Sequence, residues 1–279
     1  MTLTLRHLLD ALNTIAPQHL AEPWDSVGLM VGSLEQPVSS VLIGLDPTTR
    51  LIDEAVEVGA DVVITHHPFL FKPLRTIDPA TPVGRFLSTA LRGGIAVVAA
   101  HTNLDRTSPG VSDRLAELLD LERLVPLIAE PGAETYGSGR LGEYPHAITG
   151  TDFITKLTTR LQLPAVYLAG TLPERIAKVA VCGGSGSEYA PEAKLAGADC
   201  FVTAEIKHHI GCWAVECNFC IIDATHFATE RPAVSLLVEL LQHHASARAW
   251  PLVIAESRRE ISPLTLMYHP EILKKGEQP

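Results

Sequence analysis

The chain carries its own repeat, and that repeat constrains the fold more than any other feature. Val41-Leu42-Ile43-Gly44 reads as a strand, and a helix follows from about Thr49. Glu54-Ala55-Val56-Glu57-Val58-Gly59-Ala60-Asp61 closes that helix and leads into the apolar run Val62-Val63-Ile64-Thr65. The same order returns as the strand Val179-Ala180-Val181-Cys182, the segment Glu192-Ala193-Lys194-Leu195-Ala196-Gly197-Ala198-Asp199 and the strand Cys200-Phe201-Val202-Thr203. The offset is constant, since 179 − 41, 192 − 54 and 203 − 65 all equal 138. A second match follows. Ile95-Ala96-Val97-Val98-Ala99-Ala100 ends in His101-Thr102-Asn103-Leu104-Asp105, and Ile221-Ile222-Asp223-Ala224-Thr225 ends in His226-Phe227-Ala228-Thr229-Glu230; 226 − 101 and 230 − 105 both equal 125. Strands alternating with helical stretches predict an α/β fold. We expect two related, internally repeated α/β units sharing a cleft near a pseudo-twofold axis.

The chemistry concentrates at strand ends. His66 and His67 close the run Val62–Thr65 and are followed at once by Pro68, which stops the strand. In an open α/β sheet the carboxyl end of the strands is where ligands bind. Neutral imidazole there suits Zn, Fe or Ni. His101 with Asp105, and His226 with Glu230, add a His-x-x-x-acid unit after a strand in each half, and a helical turn would point both groups of each unit one way. The repeat is not symmetric in chemistry: His66 and His67 correspond to Ala204 and Glu205. Six donors, His66, His67, His101, Asp105, His226 and Glu230, exceed the needs of one tetrahedral ion. Two divalent ions (Zn, Mn, Fe or Ni) about 3.5–4 Å apart would use them all.

Composition bounds the remaining classes. A chain of 279 residues, 46 % of them hydrophobic, has enough apolar residues for one large domain or two smaller ones. The formal charge, 22 − 32 = −10, comes with no basic stripe, which argues against nucleic acid as a partner. No apolar run is long enough to span a bilayer. The opening Met1-Thr2-Leu3-Thr4-Leu5-Arg6-His7 lacks the apolar core of a signal peptide. Thr4 instead caps a predicted first helix with Leu5, Leu8, Leu9, Leu12 and Ile15 on one face. We expect a cytoplasmic protein. Five cysteines fit that compartment. Cys212, Cys217 and Cys220 resemble part of an iron–sulfur spacing, but no fourth cysteine follows, and small buried hydrophobes are the simpler reading.

Other polar clusters carry less. Lys207-His208-His209 reads as a helix start, with a solvated face or a substrate phosphate as its uses. Gly183-Gly184-Ser185-Gly186-Ser187 suits a tight turn whose amides would take an anion. It matches neither a Walker loop nor a dinucleotide fingerprint. His243-His244 suits the end of a helix with an apolar core from Ser235 to Leu241.

Together these residues resemble a known family. Trp24-Asp25-Ser26-Val27-Gly28-Leu29 is similar to its W-D-N-x-G-L signature, with Ser26 for Asn. Thr65-His66-His67-Pro68 resembles its T-H-H-P, and His101-Thr102-Asn103-Leu104-Asp105 its H-T-N-L-D. Gly137-Ser138-Gly139-Arg140-Leu141-Gly142, Cys182-Gly183-Gly184-Ser185-Gly186, Thr203-Ala204-Glu205-Ile206-Lys207-His208-His209 and His226-Phe227-Ala228-Thr229-Glu230 follow in the family's order. This is the NGG-interacting-factor-3-like family, also called GTP cyclohydrolase 1 type 2 homologues.

The resemblance implies two intertwined α/β repeats with mixed sheets, a dinuclear metal site in the cleft between them and a homohexameric ring. It implies a first unit over 1–126, the middle of the second over 127–204, and a strand and C-terminal helices over 205–279 intertwined with the first. Its ligands fall on His66, His67, Asp105, His226 and Glu230, with His101 beside the metals. Ala204 replaces a usual Gly, and Thr225-His226-Phe227 replaces G-H-Y, which removes a Tyr hydroxyl but no ligand. The chain lacks a long central insertion and resembles the short form. The expected function is a metal-dependent hydrolase acting on GTP or a related nucleotide, with Glu205 or His101 managing protons. The alternative is a metal-binding, ring-forming scaffold or regulatory protein without turnover.

Overall fold

The computed structural model describes residues 2–267; the last twelve residues of the expected 205–279 segment lie outside it. The chain divides into two compact units. The first takes the chain up to Arg114, Glu130–Gly137 and Arg231–Glu260. The second takes Leu115–Ala129, Ser138–Glu230 and the described residues from Ile261 on.

The first unit begins with α1 (Leu5–Ile15), whose N-cap Thr4 engages the His7 ring through its amide and its hydroxyl. Then come β1 (Gly28–Val31), β2 (Ser40–Gly44), α2 (Thr49–Val58), β3 (Val62–Thr65), α3 (Pro82–Gly93), β4 (Ala96–Ala99) and α4 (Thr102–Arg106). The helix α5 (Val111–Leu118) leads on to β5 (Glu122–Glu130), β6 (Ala133–Thr149) and α6 (Gly150–Arg160). The second repeat runs through β7 (Tyr167–Ala169), β8 (Arg175–Ser185), α7 (Ala190–Leu195), β9 (Cys200–Ala204), α8 (His208–Glu216), β10 (Cys220–Asp223) and α9 (His226–Glu230). The chain finishes with α10 (Pro232–Ala247) and β11 (Val253–Glu256).

Both sheets are mixed. The first has the order β1-β4-β3-β2-β11, with β4, β3, β2 and β11 parallel and β1 antiparallel on the edge. The second has the order β5-β6-β8-β9-β10-β7, with β8, β9 and β10 parallel and β7 antiparallel on the edge. The quartets β1-β4-β3-β2 and β7-β10-β9-β8 therefore share one topology. The repeat extends one strand further than the sequence match, to an antiparallel edge strand in each unit.

The recurring Gly-Ala-Asp now has a reason. Gly59 and Gly197 follow their helices in the left-handed region, at φ 66° and 78°, where a Cβ is disfavoured. Asp61 then accepts from the amides of Ser39 and Ser40. Asp199 accepts from those of Ala177 and Lys178. In each repeat the carboxylate pins the entry to the preceding strand, and the offset of 138 holds for donors and acceptor alike.

Buried parallel strands need apolar residues on both faces. In the second unit Val179, Val181, Cys200, Val202, Cys220 and Ile222 face a core with Phe153 and Leu157 of α6. Their alternating neighbours Ala180, Cys182, Phe201 and Ile221 face Ala190, Ala193, Ile210 and Ala214 of α7 and α8. In the first unit Leu42, Val63 and Val97 pack on Leu51, Ile52 and Ala55 of α2 and on Phe86 and Ala90 of α3. Each Val, Leu, Ile or Phe among them contributes roughly 1.5–3 kcal/mol when fully buried. The sheets are therefore held by cores that do not depend on their polar ends.

Candidate metal centre

His66 and His67 extend β3 past its last residue. Their amides donate to Gly44 O at 3.2 Å and Leu45 O at 3.0 Å, and Thr65 Oγ1 donates to His67 O at 2.7 Å. The backbone is fixed before the rings are placed. His66 Nδ1 then meets Ala100 O at 2.9 Å, His67 Nδ1 meets Asp46 Oδ1 at 2.7 Å, and His101 Nδ1 meets Asp25 Oδ1 at 2.9 Å. A carbonyl or carboxylate oxygen only accepts, so each Nδ1 is the donor. In the neutral ring this leaves the lone pair on Nε2, the tautomer a metal requires.

The three rings form a triangle with centroids 5.0, 5.1 and 5.5 Å apart. One nitrogen from each lies within 4.8 Å of the others, a group able to hold a metal ion. Asp105, one turn along α4 from His101, brings Oδ1 to 3.6 Å from His66 Nε2. The donor set of this unit is three imidazoles and one carboxylate, which suits Zn, Mn, Fe or Ni. Burial, reinforced by the neighbouring His66 ring, outweighs the Asp25 carboxylate and holds His101 down at about 4. His101 is neutral at physiological pH, as a ligand must be. Burial alone would raise Asp25, but hydrogen bonds from His101 and Thr102 keep its carboxyl below the ordinary value.

The second repeat ends its strands differently. His226 stands between two carboxylates: Nε2 lies 2.9 Å from Glu230 Oε2, and Nδ1 lies 3.0 Å from Glu205 Oε1. Glu230 is buried, whereas the Glu205 side chain is 59 % exposed. Glu205 takes a left-handed backbone, φ 54°, directly after β9, and Thr225 does the same, φ 62°, directly before α9. Gly184 makes room for the acid. It sits at φ 67°, and a Cβ there would come within 2.0 Å of Glu230 Oε1.

Each candidate thus has a place. His66, His67, His101 and Asp105 gather in the first unit; His101, which the resemblance puts beside the metals, is in one group with His66 and His67. Glu205, His226 and Glu230 gather in the second. Sequence reasoning missed the orienting oxygens. Asp25 lies inside the quoted Trp24-Asp25 signature, and Asp46 follows the end of β2, a strand-end acid that could have been flagged. The anion site expected at Gly183–Ser187 is corrected. The Gly184 and Gly186 amides donate to Thr229 Oγ1 and Thr203 Oγ1, so these two amides fix α9 and β9 instead of facing an anion. Lys207 pairs with Glu188 at 2.7 Å, and His244 packs on Trp250. Cys220 lies opposite Cys200 in the sheet core, while Cys212 is exposed on α8.

No helix among the described residues is long and apolar enough to cross a membrane. The Duf34/NIF3 (NGG1p interacting factor 3) family model matches residues 3–263. A "GTP cyclohydrolase 1 type 2 homolog" of Streptomyces coelicolor is 36 % identical over 266 residues, covering 94 % of this chain and 93 % of its own. Another, of Clostridium perfringens, is 32 % identical over 254 residues, covering 91 % and 97 %. A solved hypothetical protein of Staphylococcus aureus superimposes with TM-score 0.90 at 26 % identity, over 96 % of this chain and all of that one. A Bacillus cereus protein related to NIF3 shares the fold, with TM-score 0.90 at 24 % identity over the same shares. With nearly its whole length matched and its strand-end histidines in place, the chain belongs to the Duf34/NIF3 family.

Proposed function

We propose that this protein is a metal-dependent hydrolase acting on GTP or a related nucleotide. In this reading His66, His67 and Asp105 are the metal-holding donors of the first unit, and His226 and Glu230 are those of the second. The observation that carries it is the anchoring of three neighbouring imidazoles through Nδ1, each on its own oxygen. Such outer hydrogen bonds orient metal-ligating histidines and raise their basicity. Bound divalent ions would supply Lewis acidity and lower the pKa of a water at the site. Glu205 holds the His226 ring by its Nδ1 and so fixes which nitrogen is offered. Its exposed carboxylate is also placed to carry a proton to or from solvent. His101, neutral and backed by Asp25, is the second candidate for proton handling. The names of the curated relatives support the nucleotide assignment.

We also infer a ring of six copies, which light scattering checks, and a cytoplasmic location, which five free thiols suit. The deciding experiment is elemental analysis of the purified protein, then a nucleotide turnover screen with and without chelator. Two equivalents of metal and chelator-sensitive turnover of GTP are expected. Metal without turnover across the nucleotides would favour a ring-forming scaffold, and no metal would end the proposal.

A further inference from the structure

Two large aromatic side chains stand exposed next to the imidazole cluster. Trp24 is 62 % exposed and Phe71 52 %. Their ring centroids lie 6.4 Å apart, with planes 33° from parallel. Both reach His101, at 6.1 Å from Trp24 and 5.8 Å from Phe71, with planes near perpendicular at 74° and 72°. Neither ring belongs to the buried core of this unit, whose aromatic pair is Phe69 stacked on Phe86 at 4.5 Å.

Both aromatics are rooted in backbone that also sets the site. Trp24 directly precedes Asp25, whose carboxylate holds His101. Phe71 lies on the stretch 68–81 between His67 and α3. The matching stretch of the other repeat, between Glu205 and α8, is only Ile206-Lys207. The extra chain is confined to the repeat that kept the paired imidazoles, and it brings an aromatic ring to them. That stretch also carries Lys72 and Arg75, two cations on a chain of formal charge −10. Lys72, next to Phe71 in the chain, puts positive charge on the same stretch, which favours a ring carrying negative charge and opposes the pull that an aromatic face alone has on cations.

We propose that Trp24 and Phe71 form a stacking subsite for the planar heteroaromatic ring of a small anionic substrate, beside His101. Aromatic rings associate with centroids about 4.5–7 Å apart in stacked or edge-on arrangements. A guest ring stacked on Trp24 or Phe71 would be a neighbour of His101. Every nucleobase offers such a face. The subsite deepens the hydrolase reading by assigning the ring end of its substrate. It depends on that reading only for which bond is cut, since ring binding needs no turnover.

The test uses the full, metal-loaded chain with guanosine as probe and ribose 5-phosphate as the ringless control, both measured by calorimetry. Guanosine should bind, and the Trp24→Leu/Phe71→Leu double variant should weaken it by about tenfold or more, the scale of losing one stacked base. Trp24→Phe, which keeps an aromatic face, should hold guanosine within about threefold of the parent. Ribose 5-phosphate should respond equally in all three proteins. Guanosine affinity unchanged in the double variant would overturn the subsite, as would a parent protein that does not bind guanosine. A double variant that changes oligomer size yet binds guanosine normally would assign the face to contact between copies. Metal content, read on the same samples, reports on the hydrolase reading separately and should not differ among the variants.

Discussion

In the first repeat His66, His67 and His101 each lean on a different oxygen, and two of those oxygens come from Asp25 and Asp46. In the second a single imidazole, His226, lies between Glu205 and Glu230. The strands beneath are alike: same order, same edge strand, same Gly-Ala-Asp closing the helix and pinning the strand entry. Over the four strands they share, the two halves therefore diverge in chemistry where the strands stop. Packing fixes the positions at which side chains emerge, and the identity of those side chains is left to chemistry. The first half is built to present nitrogens, and the second is built to present oxygens.

The largest expected effect separates the two sets of donors. His66→Ala/His67→Ala should remove most of the bound metal by elemental analysis while circular dichroism still reports a folded chain, because the sheets carry the cores. His226→Ala/Glu230→Ala should remove less, since the first repeat retains three imidazoles and Asp105. Equal losses would break the comparison by making the halves equivalent.

The orienting acids come next. Asp25 is enclosed and takes hydrogen bonds from His101, from both the amide and the hydroxyl of Thr102, and from the Ser26 amide. Asp25→Asn should lower metal affinity by about 10–100-fold, the usual cost of losing such a partner. It should also destabilise the protein by roughly 1–3 kcal/mol in a urea titration, since a buried acceptor is lost. Glu205→Gln, at an exposed position, should leave stability within about 0.5 kcal/mol and act instead on turnover, by about tenfold. A Glu205→Gln protein with parental turnover and metal content would return Glu205 to a purely structural role.

The smallest effect tests the shared backbone. Gly59→Ala and Gly197→Ala introduce a Cβ at φ 66° and 78°, and the space around each is open. Each should cost about 1–2 kcal/mol, from the left-handed conformation alone. Urea midpoints that fall by the same amount would sharpen the structural half of the comparison, and a clear inequality would break it.

Much of this was legible in the sequence. The runs around β2, β3 and β4 are strands because their apolar residues are continuous, and the offsets of 138 and 125 carried that reading into the second half. The strand-end donors were legible for the same reason, since Pro68 and the helical spacing of His101–Asp105 and His226–Glu230 are local. The edge strands β1 and β7 were not. Gly28-Leu29-Met30-Val31 and Tyr167-Leu168-Ala169 are short and half exposed, and only pairing with β4 and β10 defines them. The orienting contacts were out of reach for a further reason. Asp25 meets a histidine 76 residues away and Asp46 one 21 residues away. Nothing in either neighbourhood encodes the other.

The strand β11 gives the first unit a history as well as a shape. It pairs in parallel with β2, and just past it the carboxylate of Glu260 accepts from the amides of Leu45 and Asp46, the latter being the residue that holds His67. Yet Val253 emerges 253 − 44 = 209 residues after Gly44. At about 5–20 residues per second, β2 waits roughly 10–40 s for its neighbour while the whole second repeat is made. In that interval the growing chain carries an open, apolar sheet edge, the kind of surface on which chaperones and misassembly compete. The loop behind His67 is then among the last parts to be clamped, so the order of synthesis sets the moment at which the imidazole triangle becomes rigid.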